Sequence, residues 1–316
     1  MEDAVVCGGG AAGLAAATWL GRYRRRTLVL DAGRQRNRFT GHAHGYLGLD
    51  GVSPQDLLDA ARRDLARYDT VETRASAIDD ARREGDSFVV SVAGEEIPTR
   101  RVLLATGVED EFPDVEHFEE FYGKTIFHCS CCDGYEASDM TVAAIGWSPH
   151  AAGFALDLLD WGARVVLLTD GRTFEGDDGS RSALARHDVE MIEEPVAAVV
   201  GNGDEMQGLR LADGRLVGCE RAFFSIAHKP RNDLARRLGC ELDEQGYVNV
   251  GEHGETSVTG VYAAGDVTPG EQLLQTASAE GAVAGIACAM SLRGEYTGPA
   301  APHPGPDPES EIEATS

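Results

Sequence analysis

The sequence predicts an α/β fold built from two Rossmann-like (three-layer ββα) nucleotide-binding domains, the second inserted in the first. Near the start, "DAVVCG" (3–8), an alanine-rich segment (11–22) and "RTLVLDAG" (26–33) have the pattern of strand, helix and strand. The same pattern restarts at residue 141 with "TVAAIGW", continues through "AAGFALDLLDWG" and closes with "RVVLLTDG". A βαβ unit that occurs twice is typical of a duplicated architecture.

The order of the remaining segments predicts how the domains divide the chain. We expect a discontinuous first domain over 1–113 and 246–297, because a third block, "TGVYAAGDV" with a long helix of small residues, returns after the second unit. The inserted domain, which carries the second βαβ unit, is expected over 114–245. The proline-rich, acidic segment 298–316 is expected to be a disordered tail.

Composition excludes several classes of protein. The net charge of −25 argues against nucleic acid or an anionic membrane as partner. The sequence has no run of about eighteen apolar residues, so we expect no membrane span. The N-terminus lacks the basic segment of a signal peptide. We therefore expect a cytoplasmic protein, in which structural disulfides are uncommon.

The first βαβ unit carries a complete G-x-G-x-x-G motif between its strand and its helix. Gly8 allows the tight turn, Gly10 lets the backbone approach a pyrophosphate, and Gly13 lets the helix pack close to the strand. Asp31 ends the next strand, where an acidic residue hydrogen-bonds a ribose. This context favours a bound dinucleotide over a merely glycine-rich turn.

The second unit retains the pattern but has lost part of the binding motif. Gly146 takes the first glycine position, whereas Ser148 replaces the middle glycine and Trp147 adds bulk to the same loop. Asp170 ends the following strand, where its charge would repel a 2′-phosphate. The unit is therefore expected to bind a nicotinamide nucleotide poorly, or loosely through other contacts.

Three cysteines are clustered in "HCSCCDGYE" (128–136). Cys129 and Cys132 have C-x-x-C spacing, which suits a zinc site, a structural disulfide or a redox-active dithiol. A zinc site needs four ligands and there is no second C-x-x-C, so we expect no metal and favour a reversible dithiol. Cys131 is expected to be a bystander. His128 is either a protonated ring that lowers the pKa of the Cys129 thiol or a packed neutral ring.

Three segments together resemble the low-molecular-weight thioredoxin reductases: "GGGAAGLAAA" at the start, "CSCCDG" (129–134), and "TGVYAAGDV" followed by "QTASAEGAVAG" (259–285). The resemblance implies a homodimer that binds FAD and exchanges electrons with a thioredoxin-like protein or a small-molecule dithiol. It also implies that Cys132 faces the flavin and that Cys129 reacts with the outside partner. Asp133 would be the acid and base that moves protons.

The same resemblance implies that 1–113 and 246–297 form an FAD-binding domain and that 114–245 is a domain of NAD(P) type carrying the C-x-x-C, with the flavin between the first unit and the C-terminal block. The residues expected at the FAD site are Gly8, Gly10, Ala11, Ala12, Gly13, Asp31, Asn37, His44, Thr106, Gly107, Gly265, Asp266, Gln275, Thr276 and Ala277.

Other features resemble a sister group, the thioredoxin-reductase-like dithiol oxidases, which close disulfides in small metabolites and pass electrons through FAD to oxygen. The loop "GRQRNRFTGHAHGYLGLDG" (33–51) and "CDGYE" carry this likeness. Thioredoxin reductases have a basic stretch that grips the 2′-phosphate of NADPH, whereas this chain has Thr169-Asp170-Gly171-Arg172. Asp133 is nevertheless the reductase choice, because the oxidases often have histidine there.

Three hypotheses follow for the activity. The first is an FAD-dependent thiol-disulfide oxidoreductase that uses NADPH weakly or not at all, with oxygen or another carrier as electron partner. The second is an NADPH-dependent reductase of a thioredoxin-like protein. The third, from a different class, is a flavin-bound redox sensor or binding module without turnover.

Overall fold

The computed structural model describes residues 1–202, 204–225 and 227–293. The tail predicted for 298–316 lies outside the described residues. Up to the first chain crossing, the elements are β1 (Glu2–Cys7), α1 (Ala11–Arg22), β2 (Thr27–Asp31), a 3-10 turn (Arg36–Phe39), α2 (Pro54–Leu65), β3 (Val71–Ala75), β4 (Asp80–Glu84), β5 (Ser87–Val92), β6 (Glu95–Leu104) and β7 (Val108–Glu111).

The chain then forms a second group of elements before it returns to the first. The first of these are α3 (Phe118–Phe121), β8 (Ile126–Phe127), α4 (Ser130–Asp133), a 3-10 turn (Tyr135–Ala137), β9 (Thr141–Ile145), α5 (Ala151–Asp157), a 3-10 turn (Leu158–Asp160) and β10 (Arg164–Leu168). The others are α6 (Asp178–Arg186), β11 (Glu190–Ile192), β12 (Val196–Asn202), β13 (Glu205–Leu211), β14 (Leu216–Gly218), β15 (Arg221–Phe224), β16 (Ala227–Pro230), α7 (Asp233–Leu238), β17 (Val261–Ala263) and α8 (Leu274–Ser291).

The first sheet has two parts that share one long strand. Strands β3, β2, β1, β6 and β17 are parallel in that order, with Val5 opposite Leu28 on one side and Val102 on the other. The first half of β6 pairs antiparallel with β5, which pairs with β4. Because β1 is covered on both faces, it is a continuous apolar run and not an alternating one.

Helices α1 and α8 pack closely on one face of this sheet. A Cβ on Gly281 would lie 2.0 Å from the carbonyl oxygen of Ala12, and one on Gly285 would lie 2.6 Å from that of Ala16. Only glycine allows two helices to approach so closely. The small-residue composition of α8 is therefore a packing requirement, and the contact fixes the start of α8 beside the start of α1.

The second sheet repeats the arrangement. Strands β11, β10, β9, β15 and β8 are parallel in that order, and β12, β13 and β14 form an antiparallel meander beside them. The α/β fold with two Rossmann-like units is thereby confirmed. The helix expected over 151–162 ends at Asp157 and continues as the 3-10 turn Leu158–Asp160.

The two chain crossings between the units lie side by side, because β7 pairs antiparallel with β16. The division into 1–113, 246–297 and 114–245 stays a prediction. No helix among the described ranges is long and apolar enough to cross a membrane.

The packing of α7 bears on where the inserted domain ends. Leu234, Ala235 and Leu238 are buried in the same hydrophobic cluster as Val5 and Val90 of the first sheet. We therefore propose that the chain returns to the first domain at β16, before α7, and not after residue 245.

Candidate active site

One cavity of about 640 Å³ joins the glycine-rich loop of the first unit to the cysteine cluster. It opens at the carboxyl ends of the parallel strands, where ligands bind in sheets of this type. Gly10 and Thr106 lie in one part of its wall, and Cys129 and Cys132 lie in another. The fold therefore brings the two predicted motifs, which are far apart in sequence, to one space.

The three glycines of the first loop have different surroundings. Gly8 has a φ of +118°, and a Cβ there would lie 2.1 Å from the carbonyl oxygen of Ala105. A Cβ on Gly13 would lie 1.9 Å from the oxygen of Gly8. At Gly10 the nearest protein atom to such a Cβ is Cγ of Gln35, at 3.9 Å. Gly10 thus leaves room for a ligand, as a pyrophosphate at the start of α1 requires.

Asp31 lies in the cavity wall at the end of β2, but its carboxylate already has protein partners. It accepts hydrogen bonds from the backbone of Gly33 at 3.0 Å, from Gln35 at 2.8 Å and from Arg62 at 3.1 Å. A ribose hydroxyl would have to share these oxygens. These hydrogen bonds hold the start of the loop after β2 against the Asp31 carboxylate.

The C-terminal block supplies the opposite wall. Gly265 has a φ of +77° and donates its backbone N–H to Glu280 at 2.8 Å, which turns the chain toward α8. Burial raises the pKa of the next residue, Asp266, and the Arg36 guanidinium 4.0 Å away opposes that rise.

Most of the residues predicted for the FAD site line the cavity. Those in the lining are Gly8, Gly10, Ala11, Ala12, Asp31, Asn37, His44, Thr106, Gly107, Gly265, Asp266, Gln275 and Ala277. Gly13 and Thr276 are outside it. Gly13 serves helix packing, and Thr276 lies in the first turn of α8 beside two residues that do line the cavity. Their contacts with FAD stay predictions.

Cys129 and Cys132 form a disulfide, with the two Cα atoms 5.2 Å apart. Cys129 precedes the short helix α4, so the turn of that helix brings the second sulfur back to the first. Cys131 is an exposed free thiol in the cavity wall. No group of three or more His, Cys, Asp or Glu side chains could hold a metal ion within the described ranges.

Asp133 follows the disulfide and lines the same cavity. Burial raises the pKa of its carboxyl to about 7, against the opposing influence of His44 and with a further increase from Glu136. His44 in turn lies 3.5 Å from Glu136. A carboxyl group with this pKa can take and return a proton near neutral pH.

Burial and hydrogen bonding favour a packed neutral ring for His128, the second of the two alternatives left by the sequence. Burial, together with the charge of Arg36, lowers its pKa to about 4. The protonated ring, proposed as a means of activating Cys129, is therefore not favoured. Its Nδ1 lies 2.8 Å from the hydroxyl of Tyr122, and that hydroxyl donates to Asp110 at 3.0 Å.

Sequence reasoning missed the residues that surround His128. Arg36 bonds to Asp110 and to Gln272, and Gln272 also bonds to Tyr247 at 3.0 Å. Arg36 belongs to a loop that the sequence singled out, but these side chains come from distant segments with no common spacing. No local signal could have grouped them.

The loop of the second unit is occupied by its own side chains. The Arg172 guanidinium stacks on the Trp147 ring, 4.2 Å from its centre, and the Trp147 carbonyl accepts the backbone N–H of Glu175 at 2.8 Å. Asp170 accepts the backbone N–H of Val196 at 2.9 Å. None of these residues lies in the wall of the large cavity.

Comparison with known proteins gives one family and a consistent set of relatives. The family model described as pyridine nucleotide-disulphide oxidoreductase matches residues 2–281. The chain is 33% identical to thioredoxin reductase tcpT of Claviceps purpurea, over 94% of this chain and 96% of that one.

Two solved structures have the same fold along nearly their whole length. The crystal structure of HlmI has 37% identity and a TM-score of 0.87, with 92% of each chain covered. The putative thioredoxin reductase TrxB from Bacillus anthracis has 27% identity and a TM-score of 0.88, with 93% of this chain and 99% of that chain covered.

Proposed function

Because the chain belongs to the pyridine nucleotide-disulphide oxidoreductase family and is an oxidoreductase, we propose that it is an FAD-dependent thiol-disulfide oxidoreductase. The observation that supports this most directly is the shared cavity, whose wall contains both the glycine-rich loop and the Cys129–Cys132 disulfide. A redox cofactor in that cavity would lie against the disulfide with which it exchanges electrons.

FAD fits the residues in the wall. Gly10 leaves space at the N-terminus of α1 for the pyrophosphate, and the start of α8 with Gln275 and Ala277 borders the end of the cavity toward the C-terminal block. When bound, FAD supplies a two-electron acceptor and donor. The protein's part is to hold the cofactor and to present the disulfide to it.

We propose that Cys129 is the sulfur that reacts with the outside dithiol. A substrate thiolate attacks Cys129, an S–S bond forms between them, and Cys132 leaves as a thiolate with the electron pair of the broken bond. The second substrate thiolate then attacks the first substrate sulfur and releases Cys129. The substrate leaves as a disulfide and the enzyme holds two electrons as a dithiol, which bound FAD would accept for transfer to oxygen or another carrier.

Asp133 is proposed to carry the proton in this exchange. A thiol has a pKa near 8.5, and the pKa of Asp133 is raised by burial to about 7. Its carboxylate is therefore present at neutral pH and is basic enough to accept a thiol proton. In the reverse reaction, in which the enzyme dithiol reduces a disulfide, Asp133 can return the proton to the thiolate that leaves.

We propose weak or absent use of NADPH. The stack of Arg172 on Trp147 lies in the loop where a second nucleotide would place its phosphates, and Asp170 sits where a 2′-phosphate would be repelled. These contacts support the hypothesis in which the electrons of a dithiol go to oxygen or another carrier.

An anaerobic titration of the flavin tests both parts. Dithiothreitol should bleach the flavin absorbance of the purified protein within seconds, whereas excess NADPH or NADH should not. The Cys129→Ser variant is the control and should stay oxidised with dithiothreitol. Failure of dithiothreitol to reduce the wild-type flavin would refute the dithiol activity, and rapid bleaching by either nicotinamide would refute the second part.

A second candidate is an NADPH-dependent reductase of a thioredoxin-like protein, which the name of the Claviceps purpurea relative and Asp133 favour. Reduction of a thioredoxin with NADPH as the only electron donor would establish it. A flavin-bound sensor without turnover is the third, and multiple turnovers with any dithiol would exclude it. A homodimer and a cytoplasmic location stay predictions.

A further inference from the structure

A chain of hydrogen-bonded side chains ends beside the disulfide. Nε of Arg36 lies 3.0 and 2.9 Å from the two carboxylate oxygens of Asp110. The hydroxyl of Tyr122 lies 3.0 Å from the same carboxylate and 2.8 Å from Nδ1 of His128. His128 directly precedes Cys129, and both side chains line the cavity.

The chemistry of these groups determines the direction of every bond. A guanidinium only donates and an ionised carboxylate only accepts, so the single hydroxyl proton of Tyr122 points to Asp110. The hydroxyl oxygen is then the acceptor for His128, whose Nδ1 must carry a proton. A neutral imidazole has one N–H, and therefore Nε2 has a free lone pair.

The surroundings of His128 keep it in this neutral form. Burial and the charges of Arg36 and His228 together lower its pKa to about 4, although the Asp110 carboxylate opposes this decrease. No hydrogen-bond partner of Nε2 is found across residues 1–202, 204–225 and 227–293. Because the His128 side chain lines the cavity, a ligand bound there can donate a hydrogen bond to the Nε2 lone pair.

We propose that His128 binds the substrate through a hydrogen bond from the S–H of a dithiol to Nε2, and that Tyr122 is the positioning residue that keeps this nitrogen unprotonated. The inference rests on the proposed function and names the group that recognises its dithiol substrate. A dithiol has the donor that Nε2 lacks, whereas a disulfide has none. The site therefore favours dithiols as substrates. Asp133, whose pKa is closer to that of a thiol, remains the proton acceptor.

The Tyr122→Phe variant separates the hydroxyl from the ring. The ring packs among Phe39, Phe112 and Phe224 at centroid distances of 5.2, 4.7 and 5.6 Å, so phenylalanine retains these contacts. The matched control is Tyr135→Phe, because Tyr135 lies near the disulfide but is 78% exposed.

Kinetics in both directions give the first test. We expect Tyr122→Phe to lower kcat/KM for aerobic oxidation of dithiothreitol at least tenfold, and to change reduction of 5,5′-dithiobis(2-nitrobenzoate) by dithionite-reduced enzyme less than twofold. Tyr135→Phe should change neither. An equal loss in both directions, or no loss in either, would overturn the inference. If the wild type oxidised no dithiol, the proposed function itself would fail.

Nitrogen-15 NMR of the histidine rings gives a second test that does not depend on turnover. In the wild type, His128 should have a protonated Nδ1 and a bare Nε2, with its signals assigned by their absence in His128→Asn. In Tyr122→Phe the proton should redistribute toward Nε2, while the melting temperature stays within a few degrees. A wild-type signal with the proton on Nε2 would contradict the inference, and so would an unchanged tautomer in the variant.

Discussion

The guanidinium of Arg36 and the carboxylate of Asp110 form an ion pair beneath the candidate active site. Nε of Arg36 lies 3.0 and 2.9 Å from the two oxygens, and the side chains are only 14% and 6% exposed. Arg36 comes from the loop after β2, whereas Asp110 comes from β7, where the chain crosses to the second unit. The ion pair therefore connects the loop after β2, which lines the proposed FAD site, to β7, which leads into the unit that carries the disulfide.

Replacement of Arg36 by methionine should destabilise the protein strongly. It would leave the Asp110 carboxylate buried without its charged partner, which typically costs about 3–5 kcal/mol. Urea denaturation at pH 7 measures the change. The control is Arg82→Met, which removes exposed contacts with Glu84 and Glu96 and should have little effect. Equal midpoints for the two variants would contradict a structural role for the pair.

The loss of stability in Arg36→Met should depend on pH, and the pKa of Asp110 gives the direction of this dependence. Burial alone would raise the pKa of Asp110, but the hydrogen bonds and charge of Arg36, with a smaller contribution from the Tyr122 hydroxyl, lower that pKa below its ordinary value. In the wild type this stabilisation is present above the unfolded pKa and is lost as the pH falls through the folded pKa. In Arg36→Met the carboxyl is protonated more readily, so the stability difference from the wild type should narrow between pH 7 and pH 4.

Replacement of Asp133 by asparagine should remove the proposed proton acceptor. We expect kcat/KM for dithiol oxidation to fall about 10²- to 10⁴-fold, the usual contribution of general acid–base catalysis. The wild-type profile should rise through the Asp133 pKa, at about pH 7, and the variant should retain only the ionisation of the substrate thiol. Asp139→Asn is the control, since Asp139 is exposed and asparagine tolerates its φ of +63°. An unchanged profile in Asp133→Asn would assign the proton to another group.

Asp133 also gives a stability prediction, because burial raises its pKa to about 7. The stabilisation linked to its protonated form is complete below the unfolded pKa and is lost as the pH rises through the folded pKa. Between pH 4 and pH 8, therefore, the wild type should lose stability relative to Asp133→Asn. Thermal melts of both proteins across this range measure the difference, and parallel curves would contradict the raised pKa.

The sequence predicted those parts of the site that depend on local pattern. Apolar runs and the G-x-G-x-x-G motif identified the first βαβ unit, and C-x-x-C spacing with the family resemblance identified Cys129 and Cys132. The hydrogen-bonded series Arg36–Asp110–Tyr122–His128 could not be predicted from the sequence, because its members lie in four segments that only the tertiary fold brings together. Each is an ordinary polar residue in its own segment.

The position of α7 shows a second limit. Its residues were assigned to the inserted domain, since neither a proline-rich linker nor a change in composition marks the return crossing. Leu234 and Leu238 are nonetheless buried against the first sheet. A short amphipathic helix carries no information about which of two cores it will cover, so the boundary proposed above depends on its tertiary contacts and on the pairing of β7 with β16.

Removal of the Trp147 side chain tests whether the loop of the second unit limits the use of a nicotinamide nucleotide. Trp147→Ala would remove the ring on which Arg172 stacks, and we expect the rate of flavin reduction by NADH to rise at least tenfold. Trp147→Phe keeps an aromatic ring for the guanidinium and should change the rate less than twofold. Anaerobic stopped-flow absorbance measures both. A rate that stays at the wild-type level in Trp147→Ala would show that the stack does not limit nicotinamide use.

Replacement of Gly10 by valine should separate cofactor binding from folding. Gly10 has a φ of −79°, which any residue adopts, and its Cβ would meet no protein atom closer than 3.9 Å. The apoprotein should therefore fold with nearly wild-type stability, while the side chain fills space proposed for the pyrophosphate and raises the Kd for FAD at least 100-fold. Gly153→Ala is the control, because it also adds a Cβ in open space, but in α5 of the second unit. Calorimetric titration of each apoprotein with FAD measures the Kd. Wild-type affinity in Gly10→Val would place the dinucleotide elsewhere and refute the assignment of this loop.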